Sequence, residues 1–295
     1  YFTESHLATD NAVGCALIGI ENLNLGEVMR VKFTDKKILI NTYNVFCGVG
    51  ALYSFIALFN QQLFNSKLLI GAIAIIIAFY IVSLIRANTL KKIKLNIKGS
   101  DFIIKQGDIF LQEGLKVINF NEYFDTIVDN KIIAKNSLNG KFITEKVKDL
   151  EKLDSTIDEQ LLNFNPTEVT RKNGGKNKKY DLGTIVEYED YLLTAMTKFD
   201  DNNKANLTLR EFLSFLMNFW NNLNIIYANR KVNITLFGSS CLTRITDSYE
   251  ITEQELLEII IWTFKISKIK FKYPNDITLI LTKDLLNKIN LYKVK

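Results

Sequence analysis

The chain has 295 residues, 47% of them hydrophobic and 23% charged, which is enough apolar material for a sizeable core and excludes a disordered tail. A net charge of +5 spread over that length, with no basic stripe interleaved with aromatics, excludes a nucleic-acid binder. Three cysteines without CxxC or Cys/His spacing and a single histidine, His6, leave no basis for a zinc site, a disulfide framework or a Ser-His-Asp triad.

The first 28 residues carry Glu4, Asp10, Glu21 and Glu27 but no Lys or Arg, and Met29 then opens the basic stretch "MRVKFTDKK". That break predicts a natural start at Met29, with residues 1–28 an appended or misread leader. From Ile38 to Phe59 and again from Leu68 to Ile85 the chain is free of charge. Each run approaches the ~20 residues that cross a ~30 Å hydrocarbon layer as a helix, so residues 29–90 read as a membrane hairpin. Arg30, Lys32, Lys36 and Lys37 precede the pair and Arg86, Lys91, Lys92 and Lys94 follow it, which predicts that both ends are cytoplasmic. A helical hairpin buried in a soluble core is the competing reading.

Beyond Lys91 the pattern is α/β. "KIKLNI" and "DFIIKQGDIF" flank the turn "KGS" as a hairpin, and "LKVIN", "VNITLF", "ITLIL" and "KINLY" read as further strands. Helices are expected where Thr208 and Glu211, then Thr252 and Glu255, stand at capping-box spacing ahead of apolar periodicity. Strands alternating with long helices predict a sheet covered on both faces. The charged stretch 145–180, ending in "RKNGGKNKK", reads as an inserted arm whose lysines are solvated. "DDNNKANLTLRE" has Asp200, Asn202 and Glu211 at the first, third and twelfth positions of a calcium loop, but Lys204 and Ala205 stand where an oxygen ligand and a glycine belong. It reads as a loop before a capped helix, and no metal is expected.

Three polar clusters follow expected strands, where open α/β sheets bind ligands. "GDIF" offers Asp108 as an acceptor for an exocyclic amine beside the permissive Gly107. "NFNEYFDT" places Asn121, Glu122, Asp125 and Thr126 around Tyr123 and Phe124, with "NSLNG" (Asn136 to Gly140) a little beyond; amides and carboxylates of this kind hold ribose hydroxyls. "FGSSCLTR" supplies Gly238, Ser239, Ser240, Thr243 and Arg244, a set suited to a diphosphate. Each cluster also fits an ordinary turn, and the third lacks P-loop or GxGxxG spacing.

Taken in order, "GDIF", "VINFNEYFDT", "NSLNGKFI", "GTIVEYEDYLLTAMTKFDDNNKANL" and "YANRKVNITLFGSSCLTR" resemble the macro domain of transmembrane effectors of the Thoeris anti-phage system. The resemblance spans nearly all of 92–295 and implies a macro-like three-layer α/β/α domain with a mixed sheet behind two transmembrane helices. It implies a ligand of ADP-ribose type, specifically a histidine conjugate made from NAD by a TIR-domain partner. It further implies homo-oligomeric assembly in the bacterial inner membrane, membrane disruption and abortive infection, with no catalysis by this chain and no cofactor. The binding set it implies is Asp108, Ile109, Asn121, Glu122, Asp125, Thr126, Gly238, Ser239, Ser240, Leu242, Thr243 and Arg244. The chain departs from the family pattern at Ser240, where glycine is usual, and at Asn139, where histidine is usual. An ADP-ribosyl hydrolase with a membrane anchor, using Glu122 or Asp125 to position water, and a tethered docking scaffold are the alternatives.

Overall fold

The computed structural model describes residues 30–59, 66–172, 174–200, 202–239, 251–267 and 276–294, together with the backbone of 244–245. Two compact units divide the chain: Lys92–Ile289 forms one, and the described residues up to 91 join those from Asn290 onward in the other.

In the smaller unit, α1 (Lys36–Phe59) and α2 (Ser66–Thr89) are both long and apolar enough to cross a membrane, and next to none of their surface is buried within the chain. They extend past the uncharged runs at 38–59 and 68–85, because Lys and Arg are good helix formers and lengthen a helix that a charge-free window cuts short. The pair is closed at one end by a small cluster of Val31, Ile38, Leu84 and Ala87, with Tyr80 and Tyr292 against it. Asn88 ties this end together, receiving Val31 N–H and donating to the carbonyls of Val31 and Leu84. Arg30 donates to the carbonyls of Asn88 and Leu90, satisfying acceptors that a helix end leaves open.

The segment "KINLY" differs from its expected strand. Ile289 and Leu291 alternate like strand residues and are both buried, but Leu291–Val294 is a helical turn, α8, belonging to the hairpin unit. Asn290 starts it: its side chain accepts Lys293 N–H and donates to Asp35. Tyr292 then receives the Asn41 amide on its hydroxyl at 2.6 Å and Lys37 on its carbonyl at 3.3 Å.

The larger unit is built on a nine-stranded mixed sheet among the described residues. Its strands are β1 (Lys92–Ile97), β2 (Ser100–Gln106), β3 (Leu115–Asn121), β6 (Ile185–Tyr188), β7 (Tyr191–Phe199), β8 (Ala205–Leu207), β9 (Val232–Thr235), β10 (Arg244–Ile245) and β11 (Ile277–Leu281). The order is β1-β2-β11-β9-β3-β7-β8-β10, with β6 also paired to β7. From β2 through β11, β9 and β3 to β7 every pairing is parallel, so these five strands present their carboxyl ends along one edge.

Both faces are covered. On one, Ile118 and Phe120 of β3 and Leu193 and Ala195 of β7 pack with Phe124 and Phe142 and with Leu153, Ile157 and Leu161 of α4 (Leu150–Leu161). On the other lie α5 (Leu209–Ile226) and α6 (Glu253–Ile266), each opened by the capping box that its Thr/Glu spacing predicts. Phe215, Phe219 and Phe237 stack edge to face there, and Trp220 and Phe102 meet Phe264. The remaining elements are short: α3 (Leu138–Lys141) beside β3, α7 (Lys283–Asn287) after β11, and a two-stranded ribbon of β4 (Thr167–Glu168) and β5 (Lys178–Lys179).

Candidate functional site

All three polar clusters emerge on the shared carboxyl edge of the parallel strands. "GDIF" leaves β2, "NEYFDT" leaves β3, and Leu236 to Ser239 leave β9. Gly107 N–H donates to Leu281 O at 2.9 Å, which fixes the exit of β2 against that of β11. The following 3₁₀ turn, Ile109–Leu111, lies against β9, and α3 with its "SLNG" lies against β3.

Asp108 is exposed and caps that turn, accepting Phe110 N–H at 2.9 Å on Oδ1, while Ile109 behind it is buried. Gly238 has φ +80, a backbone region that side chains strongly disfavour, and Ser239 closes the turn by donating both N–H and hydroxyl to Leu236 O. Ser240, Leu242 and Thr243 lie outside the described residues; Arg244 is described in its backbone alone, in β10. The "SLNG" turn needs its glycine, because a Cβ on Gly140 would strike the carbonyl oxygens of Ala134 and Lys135.

The "NEYFDT" cluster is braced largely from within. Asn121 braces its own turn, accepting Tyr123 and Asp125 N–H on Oδ1 and donating to Asp125 at 3.0 Å. Phe124, at φ +52, is held by Asn121 O, and both it and Tyr123 are buried. Asp125 is wholly buried, and its carboxylate takes Arg171 Nη1 at 2.7 Å and Lys176 N–H at 2.7 Å. Thr126 donates to Asp154 at 2.9 Å. These groups fasten the arm that carries β4 and β5.

Arg171, only 7% exposed, lies with its guanidinium 4.2 Å from the Tyr123 ring centre and donates to Asn203 at 2.7 Å. Gly175 makes the approach possible: at φ +96, an added Cβ would meet both Arg171 Nη1 and Asp125 Oδ1. Lys176 pairs with Asp154 at 2.6 Å and Lys179 faces Glu122 at 3.1 Å. Two ion pairs, Arg171–Asp125 and Lys179–Glu122, therefore seat the arm on the sheet edge and a third, Lys176–Asp154, braces it internally, where its composition alone reads as solvated.

Glu122 carries a buried and incompletely compensated carboxylate. Its carboxylate is 1% exposed, and although Lys179 is at ion-pair distance, neither oxygen has a well-aligned donor. Burial pushes its pKa above the usual carboxylate range, against the opposing pull of Lys179, the Phe199 backbone and Lys198. Asn119 Oδ1 and Asn139 Oδ1 are likewise buried without a partner among the described residues. Nothing local in the Lys-rich run marks Arg171, Lys176 and Lys179 as edge residues, because the carboxylates they meet are remote in sequence. Among the described residues no group of His, Cys, Asp and Glu is placed to hold a metal. The calcium-like loop uses Asp200 to accept Asn202 and Lys204 N–H, and Glu211 in the capping box.

The chain is similar to solved forms of the Oceanobacillus iheyensis macrodomain: one mutant is 14% identical with a TM-score of 0.45, covering 70% of this chain and 96% of that one. Another mutant, solved with ADPR, is 11% identical at the same TM-score, covering 69% and 96%. The Thoeris protein ThsA of Bacillus amyloliquefaciens (strain Y2) is 43% identical over 233 residues, 77% of each chain. Residues 103–282 match the family model described as "Thoeris protein ThsA, Macro domain". Sharing that model across most of its sheet and that identity with a curated member, the chain belongs to the ThsA macro-domain family of the Thoeris antiviral defence system.

Proposed function

We propose that the chain is a membrane-anchored sensor and effector whose macro domain captures an ADP-ribose-derived signal. The observation that carries this is the convergence of Asp108, the Asn121 turn and the Gly238 turn on one carboxyl edge of a parallel sheet. Asp108 and Ile109 would receive the adenine end. The positive-φ turn at Gly238 and Ser239, continuing through Ser240, Leu242, Thr243 and Arg244, would wrap the diphosphate. The Asn121 turn, with the buried amide oxygens of Asn119 and Asn139 nearby in the same region, is assigned to the distal ribose, whose hydroxyls are donors. Glu122, Asp125 and Thr126 act one step behind, holding the arm that borders this region.

In this reading the signal is a histidine conjugate of ADP-ribose released by a TIR-domain partner, and both chain ends are cytoplasmic. Capture favours an assembled form of the membrane hairpin, which breaches the cell membrane and aborts infection. Such switching requires tighter binding to the assembled state than to the resting one. A hydrolytic role for Asp125 is disfavoured, because its carboxylate is committed to Arg171, Asn121 and Lys176 N–H and has no room to orient water.

The test is dye release from vesicles carrying the full chain. ADP-ribose and its histidine conjugate are added in turn; the reading expects release with the conjugate and its loss in Asp108→Ala. Release independent of any nucleotide would refute the sensor step.

A further inference from the structure

Among the described residues of the membrane hairpin, Asn44 carries a side-chain amide that its own chain does not satisfy. Asn41 in α1 gives its amide to Tyr292 and Thr42 gives its hydroxyl to Ile38 O, but Asn44 is exposed and makes no hydrogen bond among the described residues. It stands about 10 Å beyond Lys37 along an axis rising ~1.5 Å per residue, which is inside a ~30 Å hydrocarbon layer. In lipid an amide needs a protein partner, since the tails offer neither donor nor acceptor.

The surroundings of Asn44 point outward. At helical spacing it is followed on the same face by Gly48, Ala51 and Phe55, all exposed. Thr42, Val45, Val49, Tyr53 and Ile56 are less exposed and lie on the opposite side of α1. A Cβ on Gly48 would meet nothing within 4 Å, so packing inside this chain does not account for the glycine. An amide followed one turn later by a notch is the surface on which another helix can approach closely.

We infer that two copies of this chain pair along the Asn44, Gly48, Ala51 and Phe55 face of α1, with Asn44 hydrogen-bonded to its counterpart, before any ligand binds. A second copy is the fitting occupant because a carboxamide is both donor and acceptor, and a symmetric partner brings the same group to the same depth. The face carries no charge that a different partner would need to neutralise. Pairing precedes the signal because the amide lies in lipid in the resting state as well. This inference rests on the membrane-spanning part of the proposed function and not on its ligand.

The experiment uses the full chain with Cys15, Cys47 and Cys241 replaced by serine and Ala51→Cys added, floated with phosphatidylcholine vesicles and oxidised without nucleotide. Disulfide-linked dimer is expected, with a roughly five-fold lower yield in Asn44→Leu and near-full yield in Asn44→Gln. Phe46→Cys, on the far side of α1, should remain monomeric. Equal linking at positions 46 and 51, or no effect of Asn44→Leu, overturns the inference. A chain that does not float with the vesicles defeats the membrane reading and this inference with it. Nucleotide binding, measured separately, bears only on the sensor claim.

Discussion

Arg171 Nη1 lies 2.7 Å from the Asp125 carboxylate, and both side chains are almost entirely withdrawn from solvent. The pair joins the carboxyl edge of β3 to an arm 46 residues away in sequence, with Tyr123 stacked beneath the guanidinium. Breaking one half of such a pair leaves a buried charge unmatched, which costs about 3–5 kcal/mol. Arg171→Ala should therefore lower the unfolding free energy by that amount. Asp125→Asn combined with Arg171→Met should lose less than the sum of the single changes, as a double-mutant cycle in denaturant can show.

Gly175 permits that pair to form, since a side chain at φ +96 is strained and its Cβ would enter the space between Arg171 and Asp125. Gly175→Ala should unseat the arm while leaving the sheet folded. Limited trypsin digestion checks it: cleavage after Lys172 and Lys178 should accelerate, with the core fragment intact.

Glu122 supplies a pH signature. Its folded-state pKa is raised, chiefly by burial, so between the ordinary Glu value and that raised value the folded protein binds more protons than the unfolded one. Stability contributed by the protonated form is present at low pH and is lost as pH rises through the folded pKa. Glu122→Gln should therefore raise the melting temperature at pH 7 relative to the parent, and the advantage should shrink as pH falls toward 4.5. A variant that melts lower at pH 7 would show that the Lys179 pairing outweighs desolvation.

Tyr292 anchors the carboxyl end to the foot of α1 through Asn41 and Lys37. Tyr292→Ala should free the residues from Asn290 onward, and carboxypeptidase trimming in detergent should quicken by roughly tenfold, as loss of ~1.4 kcal/mol implies.

These contrasts explain what could be read from the sequence. Thr208 with Glu211 and Thr252 with Glu255 announce their helices because a capping box is local, closed within four residues. The apolar helices and the strands β2, β3, β9 and β11 are legible for the same reason: each carries its own periodicity. The arm was not legible, since a Lys-rich run beside Gly-Gly shows no trace of the distant carboxylates that neutralise it. "KINLY" misled because Ile289 and Leu291 alternate as in a strand, while the deciding contacts, Asn290 to Asp35 and Tyr292 to Asn41, reach across some 250 residues. The β6–β7 hairpin turns at Glu189 with φ +53, a position that no Gly or Asn in "IVEYEDYLLTAMTKF" announces.

The central claim is that the shared strand edge binds an ADP-ribose-type ligand, and calorimetric titration of the full chain in detergent with ADP-ribose and its histidine conjugate tests it most directly. The account predicts saturable one-site binding, weakened at least tenfold by Asp108→Ala or Gly238→Val, equivalent to ~1.4 kcal/mol. Absence of heat with either nucleotide, or binding indifferent to both substitutions, would contradict it.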